Sequence, residues 1–265
     1  MRELLIGIDS GTQSTKVLII DSRDGKVLAS AAQEYDLIPG LPPGAKEQHP
    51  HTWRDATASA IRRALRQAKA ASGEVKAIGV SGQQHGFVPL DNAGEVIRPA
   101  KLWCDTATAA ECDEITGSLG GLKKALRLLG NAVLPGFTAS KILWLKNHEP
   151  KNFARLASVL LPHDYLNFWL TGDKTMEFGD ASGTALLDVR KRKWSPAVLD
   201  AIDPGLAGKL PPVHSSDQPA GLLQAATAKQ LDLNPGILIS AGGGDNMMGA
   251  IGTGNTREGV ITASF

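Results

Sequence analysis

Short apolar runs separated by turn residues dominate the start of the chain. Residues 4–8, 16–21 and 27–35 each have the composition of a strand. The Asp24-Gly25 pair between the second and third runs is typical of a hairpin turn. The pattern therefore predicts an antiparallel meander, whereas a dinucleotide-binding domain opens with a strand, a glycine loop and a helix.

Helical spacing follows the meander. Trp53, Ile61 and Leu65 fall on one face of a helix predicted over residues 51–71, and arginines lie on another face. The apolar run at residues 75–80 then predicts a buried strand. The alternation of strand and helix signals indicates an α/β domain.

The middle of the chain is predicted to be mainly helical, over residues 106–171. Thr138 is the expected N-cap of a helix that stops near Pro150, and residues 159–161 predict a short strand. Ahead of this region, residues 87–97 predict a hairpin.

Strand and turn signals return in the last third of the chain. The basic run at residues 190–193 predicts a solvated hairpin turn. Strands are expected at residues 237–241 and 260–265, with a helix at 247–251. Because a domain seldom ends inside an unpaired apolar strand, we expect this sequence to be the N-terminal portion of a longer one.

Composition and charge narrow the class of protein. The 265 residues include 28 Lys and Arg, 27 Asp and Glu, and 42% hydrophobic residues, which excludes a mainly disordered chain. The net charge of +1 gives no basic excess for a nucleic-acid partner. With only two cysteines and no apolar run long enough for a leader or a membrane helix, we expect a cytoplasmic protein without a membrane partner.

A first polar cluster follows the first predicted strand. Asp9, Gly11 and Thr12 lie in a Gly/Ser/Thr turn whose backbone N–H groups can face phosphate oxygens, and Lys16 can add positive charge. The carboxylate of Asp9 can hold Mg²⁺ through water. The P-loop spacing GxxxxGK[ST] is absent, so an ordinary polar hairpin turn is the alternative interpretation.

Two further polar clusters lie near predicted strand ends. Gln84 and His85 follow the strand at 75–80 and offer the donors and acceptors that a polyhydroxylated ligand needs. Trp103 offers an apolar wall for a sugar face, and Asp105 can accept from hydroxyls. A structural histidine, a core tryptophan and a helix-capping aspartate are the alternatives.

The fourth cluster is a run of glycines at residues 242–244, followed by Asp245 and Asn246. Glycines allow backbone or ligand to approach closely, and a helix start favours the charged form of Asp245. An ionised carboxylate in a cleft can take a hydroxyl proton during phosphoryl transfer. A helix cap after a flexible turn is the alternative.

The order of these clusters resembles that of the FGGY carbohydrate kinase family. The resemblance covers nearly the whole chain, and the ordered series of matches is far more specific than any one match. The matching segments are residues 8–16, 81–86, 102–105, 135–141, 161–166, 180–184 and 243–246.

The resemblance implies an α/β fold of the actin-like ATPase (ribonuclease-H-like) type. Its mixed sheet opens as an antiparallel meander and is flanked by helices. Residues 1–244 would form a sugar-binding domain, and residues 245–265 would begin a nucleotide-binding domain. Because family members are considerably longer, we expect this chain alone to lack kinase activity.

The resemblance also implies ATP-dependent phosphorylation of a sugar, D-xylulose, with ATP and Mg²⁺ as cofactors. Asp245 would be the general base. The residues that would contact the sugar are Gln84, His85, Trp103, Asp105 and Asn246. Those that would face the phosphates are Asp9, Gly11, Thr12 and Lys16, with Asp9 also holding Mg²⁺ through water.

Other interpretations stay open. Many family members have an arginine two residues after the aspartate that matches Asp105, and here Thr106-Ala107 follows, so ribulose, a hexulose, glycerol or gluconate are alternative substrates. A non-catalytic sugar-binding module and an actin-like assembly ATPase are rival classes. The polar cluster around Gln84 argues against the ATPase, since a filament subunit needs no sugar site. A homodimer is also left open.

Overall fold

The computed structural model describes residues 2–263 of the chain. Numbered along the chain, the strands are β1 (Leu4–Ser10), β2 (Ser14–Asp21), β3 (Val27–Glu34), β4 (Glu47–Gln48), β5 (Val75–Gly82), β6 (Val88–Leu90), β7 (Ala100–Lys101), β8 (Ser158–Leu160), β9 (Met176–Glu177), β10 (Leu187–Asp188), β11 (Lys193–Trp194), β12 (Val213–His214), β13 (Pro219–Leu222), β14 (Leu238–Ser240) and β15 (Gly243–Gly244).

The α-helices follow the same numbering. They are α1 (Pro50–Ala68), α2 (Ala109–Ser118), α3 (Leu122–Leu129), α4 (Thr138–His148), α5 (Pro150–Arg155), α6 (Pro162–Thr171), α7 (Phe178–Ser182), α8 (Pro196–Ile202), α9 (Ala225–Leu231) and α10 (Asp245–Gly252). None of the helices in residues 2–263 is long and apolar enough to cross a bilayer.

A mixed sheet of seven strands organises the domain, and it opens with the predicted meander. β1 pairs antiparallel with β2, and β2 pairs antiparallel with β3. On its other side β1 pairs in parallel with β5, and both β14 and β15 pair in parallel with β5. The strand order is β13-β14-β5-β1-β2-β3, with β15 beside the end of β5. The prediction of a mixed sheet that begins as a meander is confirmed.

Helices cover one face of this sheet. α1 packs against β2 and β3, α6 packs against β5, and α9 contacts both α1 and α6. Trp53 and Ile61 of α1 meet Ile6, Ile19 and Ile78 of the strands, and each of these side chains is at most 2% exposed. Since burying one large apolar side chain contributes about 1.5–3 kcal/mol, this interface is a main source of stability.

A second core lies among the helices of the middle of the chain. α4 packs against α2 and α8, and α3 packs against α2. The buried residues of this layer include Ile115, Leu129, Ile142 and Leu199. β8 pairs with β6 and so joins the helical layer to the segment that follows β5. The predictions of a mainly helical region and of a strand near residue 159 are confirmed.

Thr138 does not cap α4, so that prediction is wrong. Phe137 occupies the cap position, and Thr138 is the first residue of the helix. The hydroxyl of Thr138 instead donates to the carbonyl oxygen of His85, at 3.2 Å. The hydroxyl therefore donates to a distant carbonyl, whereas a capping hydroxyl would accept from a backbone N–H of the first turn.

One of the two predicted hairpins forms as predicted, and the other forms only in part. β10 and β11 pair antiparallel around the basic run at 190–193, as predicted. The hairpin predicted at residues 87–97 forms only in part, because β6 pairs along its length with β8 and Leu90 makes a single bridge to Val96.

Residues 260–263 do not form the predicted strand. Ile261 is 89% exposed, and none of the strands in residues 2–263 pairs with this segment. A strand needs a neighbour to bind its backbone N–H and C=O groups, and this segment lacks one within that range. The rest of the predicted strand, residues 264 and 265, lies outside the described residues.

The interface between α1 and the sheet gives a stability prediction. We expect Ile61→Ala to lower the free energy of unfolding by about 2–5 kcal/mol, because it removes a fully buried side chain and leaves a cavity. Gln67→Ala changes an exposed residue of the same helix and should cost less than about 0.5 kcal/mol. Urea denaturation followed by circular dichroism measures both values. Equal costs for the two variants would show that α1 does not anchor the sheet.

Candidate functional site

A cavity of about 280 Å³ lies where the parallel strands β5 and β15 end. Its lining residues are Gln84, His85, Trp103, Asp245 and Asn246. Because β15 pairs in parallel with the last residues of β5, the segments that follow the two strands leave the sheet side by side. The structure thus brings together residues from three of the four polar clusters that the sequence analysis singled out.

Glycines make this close approach of strands and loops sterically feasible. Gly242 has a φ of +68°, and a Cβ at this position would clash with the carbonyl oxygen of Val80. A Cβ on Gly244 would lie 2.5 Å from Cγ of Gln84. Gly242 is therefore required by packing against β5, and Gly244 leaves room for the side chain of Gln84.

Asp245 and Asn246 form the first turn of α10. Nδ2 of Asn246 donates to Oε1 of Gln84 at 3.0 Å, and Oδ1 of Asp245 accepts from the Asn246 N–H at 2.8 Å. Burial raises the pKa of Asp245, and the negative charges of Asp180 and Asp9 raise it further, while the Asn246 N–H lowers it. The helix start was expected to favour the charged form of Asp245, but burial outweighs this effect on its pKa. The carboxylate is therefore more basic than an exposed aspartate.

His85 has a left-handed backbone conformation, with a φ of +61°. Its ring lies 4.6 Å from the ring of Phe137 between centroids, and a Cβ on Gly183 would clash with it. Burial lowers the pKa of His85; Asp180 raises it and Lys141 lowers it. The lowered pKa favours the neutral form of the imidazole, and its Nδ1 is buried.

Trp103 links the cavity to the turn between β1 and β2. Its ring is 51% exposed, and Nε1 donates to Oγ1 of Thr12 at 2.9 Å. The Thr12 hydroxyl lies 3.3 Å from Oε1 of Gln83. The N–H of Gly11 donates to the carbonyl oxygen of Ser14 inside the turn. Thr12 therefore lies beside the cavity, whereas the N–H of Gly11 is used in a hydrogen bond within the turn.

Asp9 and Lys16 line a neighbouring cavity of about 520 Å³. They lie opposite each other on β1 and β2, with 3.8 Å between Nζ and Oδ2, and their side chains are 48% and 65% exposed, respectively. An exposed pair at this distance interacts weakly, so both charges are free to bind other ions. Met248 of α10 also lines this cavity, so the helix that begins with Asp245 borders both cavities.

Asp105 does not line the cavity. Its side chain is fully buried, and Oδ2 accepts from Nζ of Lys101 at 3.1 Å and from the N–H of Lys46 at 2.9 Å. Oδ1 accepts from the N–H of Ala107 at 3.1 Å. The carboxylate therefore fixes the backbone after Trp103, and its predicted contact with a sugar stays a prediction.

A buried charge cluster lies behind the end of β5. Nδ1 of His163 lies 2.8 Å from Oδ2 of Asp180, and Nε2 lies 3.1 Å from Oδ1 of Asp164. Burial lowers the pKa of His163, but the two carboxylates outweigh burial and raise it to about 9. Burial raises the pKa of Asp164 to about 7. A Cβ on Gly82 would lie 2.9 Å from Cβ of His163, so the cluster packs directly against β5.

The sequence analysis assigned no role to the buried polar residues behind the cavity. Lys141 and His163 are both fully buried. They lie in segments whose similarity to the family had been noted, but neither had a local partner in the sequence. The available signal was a charged residue among buried apolar positions, as where Lys141 precedes Ile142 and Leu143.

Residues 2–263 contain no group of three or more His, Cys, Asp or Glu side chains placed to hold a metal ion. Mg²⁺ in phosphoryl-transfer sites is commonly bound by only one or two carboxylates, with water and phosphate oxygens as the other ligands. Asp9, half-exposed beside the larger cavity, offers one such carboxylate.

The domain has an actin-like (ribonuclease-H-like) α/β fold. Its mixed sheet opens as an antiparallel meander, and its parallel strands end at a polar cavity. The crystal structure of a xylulose kinase from Rhodospirillum rubrum matches with a TM-score of 0.90 and 26% identity, over 97% of this chain and 52% of that one. A Brucella ovis structure described as a xyloylose kinase matches with a TM-score of 0.85 and 36% identity, over 94% of this chain and 50% of that one.

The sequence profile for the N-terminal domain of the FGGY family of carbohydrate kinases matches residues 4–252. The chain belongs to this family, as its motifs predicted. The xylulose kinase of Haemophilus influenzae is 44% identical over 268 residues, which cover 99% of this chain and 54% of that protein. The chain spans about half the length of the curated relatives it matches.

The buried charge cluster gives a pH prediction. The folded-state pKa of His163, about 9, lies above its unfolded value of 6.5, so its stabilising effect is complete below the unfolded value and is lost as the pH rises through about 9. We therefore expect the stability advantage of the wild type over His163→Gln to shrink between about pH 6 and about pH 10.

Urea denaturation of both proteins across this range measures the effect. His148→Gln is the control, because the side chain of His148 is 53% exposed, whereas that of His163 is fully buried. If the difference between wild type and His163→Gln is the same at both ends of the pH range, His163 is not held protonated by its neighbours.

Proposed function

We propose that this chain forms the sugar-binding part of an ATP-dependent kinase that converts D-xylulose to D-xylulose 5-phosphate. The main support for this proposal is the position of the Asp245 carboxylate. It lies in one cavity with Gln84, His85, Trp103 and Asn246. Relatives named xylulose kinases, with identities between 36% and 44%, support D-xylulose as the sugar. ATP as phosphoryl donor follows from membership of a carbohydrate kinase family.

The cavity has the chemistry that a small polyol needs. The amides of Gln84 and Asn246 bond to each other and still leave a donor on the first and an acceptor on the second. Nδ1 of His85 is buried, so its imidazole adds one ring nitrogen, Nε2, and the indole of Trp103 adds an apolar face. A volume of about 280 Å³ fits a small ligand better than a large one.

Asp245 is the general base in this proposal. Its carboxylate takes the proton from the terminal hydroxyl of the sugar as that oxygen bonds to the γ-phosphorus of ATP and ADP departs. The raised pKa improves proton acceptance, and the hydrogen bond from the Asn246 N–H fixes the orientation of the carboxylate. Phosphoryl transfer otherwise relies on positioning and charge neutralisation.

The larger cavity supports a role for Asp9 and Lys16 on the phosphate side. Lys16 can pair with phosphate oxygens, and Asp9 can hold Mg²⁺ through water, which would neutralise charge on the transferred group. Gly11 and Thr12 belong to the same side in this proposal: Gly11 shapes the turn, and the Thr12 hydroxyl lies 2.9 Å from Nε1 of Trp103. Because α10 borders both cavities, the sugar and phosphate sides meet near Asp245.

A domain division is part of the same proposal. We place the sugar-binding domain at residues 1–244 and the start of the nucleotide-binding domain at residues 245–265, because β15 ends at Gly244 and α10 begins at Asp245. A cytoplasmic location and a homodimer remain predictions that accompany this proposal.

Replacement of the base tests the proposal. In the complete enzyme we expect Asp245→Asn to lower kcat by about 10²–10⁴-fold, because the amide cannot accept the proton. The KM for D-xylulose should change little, since size and hydrogen bonding are largely preserved. A coupled assay of ADP release over a range of D-xylulose concentrations measures both parameters.

Asp232→Asn provides a matched control. Asp232 is exposed at the end of α9 with a φ of +58°, a conformation that asparagine also tolerates. This variant should retain wild-type kcat. If Asp245→Asn turns over within about threefold of wild type, Asp245 is not the base, since loss of a general base costs far more.

A further inference from the structure

Lys141 is a fully buried lysine that binds backbone carbonyls in place of a carboxylate. Its Nζ donates to the carbonyl oxygen of His85 at 2.7 Å and to that of Gly136 at 2.5 Å. Within residues 2–263 it forms no salt bridge. Burial of an unpaired amine is costly, and it lowers the pKa of Lys141 to about 7. Burial of this amine costs stability, so the two carbonyl groups that it binds indicate what Lys141 does in the fold.

The first of the two carbonyls belongs to the left-handed residue of the cavity wall. A non-glycine residue at a φ of +61° persists only where its surroundings hold it. The carbonyl oxygen of His85 receives two hydrogen bonds, from Lys141 and from Oγ1 of Thr138. Both donors come from the first turn and a half of α4, so this helix start fixes the His85 peptide.

The second carbonyl anchors the amine itself. Gly136 has a φ of +93°, and a Cβ there would clash with the carbonyl oxygen of Trp103. The Gly136 peptide is therefore locked against the backbone of another cavity residue. Phe137, which follows it, packs on the ring of His85. Lys141 is thus held rigidly on one side and holds His85 on the other.

We propose that Lys141 is a positioning residue of the sugar site, acting through the carbonyl of His85 to keep the imidazole in the cavity. Without this donor the His85 peptide can relax toward the right-handed region, which would turn the ring away from its position beside Asp245 and Asn246. The inference rests on the proposed function, because it assigns Lys141 a part in binding the same sugar.

A thermodynamic cycle on the 265-residue chain tests the inference. D-Xylulose is titrated by calorimetry into wild type, Lys141→Met, His85→Ala and the double variant. We expect Lys141→Met to weaken binding by about 10-fold in the wild-type background and by less than about twofold in the His85→Ala background, because the effect passes through His85. Lys146→Met is the matched control: Lys146 lies on the same helix, and its Nζ donates to the carbonyl of Ile202, away from the cavity.

A second variant and a second measurement distinguish a change in the position of His85 from a general folding defect. Thr138→Val is nearly isosteric and removes only the other donor to His85, so it should weaken binding in the same direction by a smaller factor. The NMR signal of the His85 Cε1–Hε1 group, assigned by its loss in His85→Ala, should shift in Lys141→Met and Thr138→Val without sugar. It should not shift in Lys146→Met.

The two proposals fail in different ways. If Lys141→Met weakens binding equally with and without His85, or leaves the His85 signal unmoved, the positioning role is overturned while the sugar site stands. If the wild-type chain binds no sugar although Lys141→Met displaces the His85 signal, the proposed function is overturned, and the role of Lys141 in sugar binding falls with it.

Discussion

The candidate site depends on the parallel pairing of β15 with the end of β5. Gly243 lies opposite Ser81 and Gly244 opposite Gly82, and this register brings Asp245 next to the loop that carries Gln84. A Cβ on Gly242 would clash with the carbonyl oxygen of Val80 in β5, and a Cβ on Gly244 would lie 2.5 Å from Cγ of Gln84, so glycine at these two positions allows the close approach. Asp245 then begins a helix at a position where burial makes its carboxylate more basic.

Polar groups buried behind the cavity hold its walls in place. Lys141 binds the carbonyl of His85, Asp105 fixes the backbone that follows Trp103, and His163 packs against the end of β5. Each of these groups is fully buried, and burial of charge costs stability unless partners offset it. The main apolar core beneath α1 supplies the stability that allows the domain to keep them. The loops of the site are thus held from behind by buried polar side chains.

Local patterns predicted the meander and the long helix α1, because alternation and helical spacing are properties of neighbouring residues. The family was indicated separately, by the resemblance of the ordered motifs. They also marked Gln84, Trp103 and Asp245 separately, but only the strand pairing shows that these side chains share a cavity. Thr138 was misjudged because a hydroxyl at a helix start usually caps it, whereas here a distant carbonyl binds it. The role of Lys141 depends on the same kind of tertiary contact, which no local pattern contains.

Sugar binding is proposed for the cavity where β5 and β15 end. Calorimetric titration of the purified chain with D-xylulose, D-ribulose, glycerol and gluconate, repeated with Gln84→Ala and Asn246→Ala, tests it most directly. We expect saturable binding of one D-xylulose per chain, weaker binding of the other three compounds, and a clear loss of affinity in both variants. D-Xylulose binding that is undiminished in both variants would show that the sugar does not bind in this cavity.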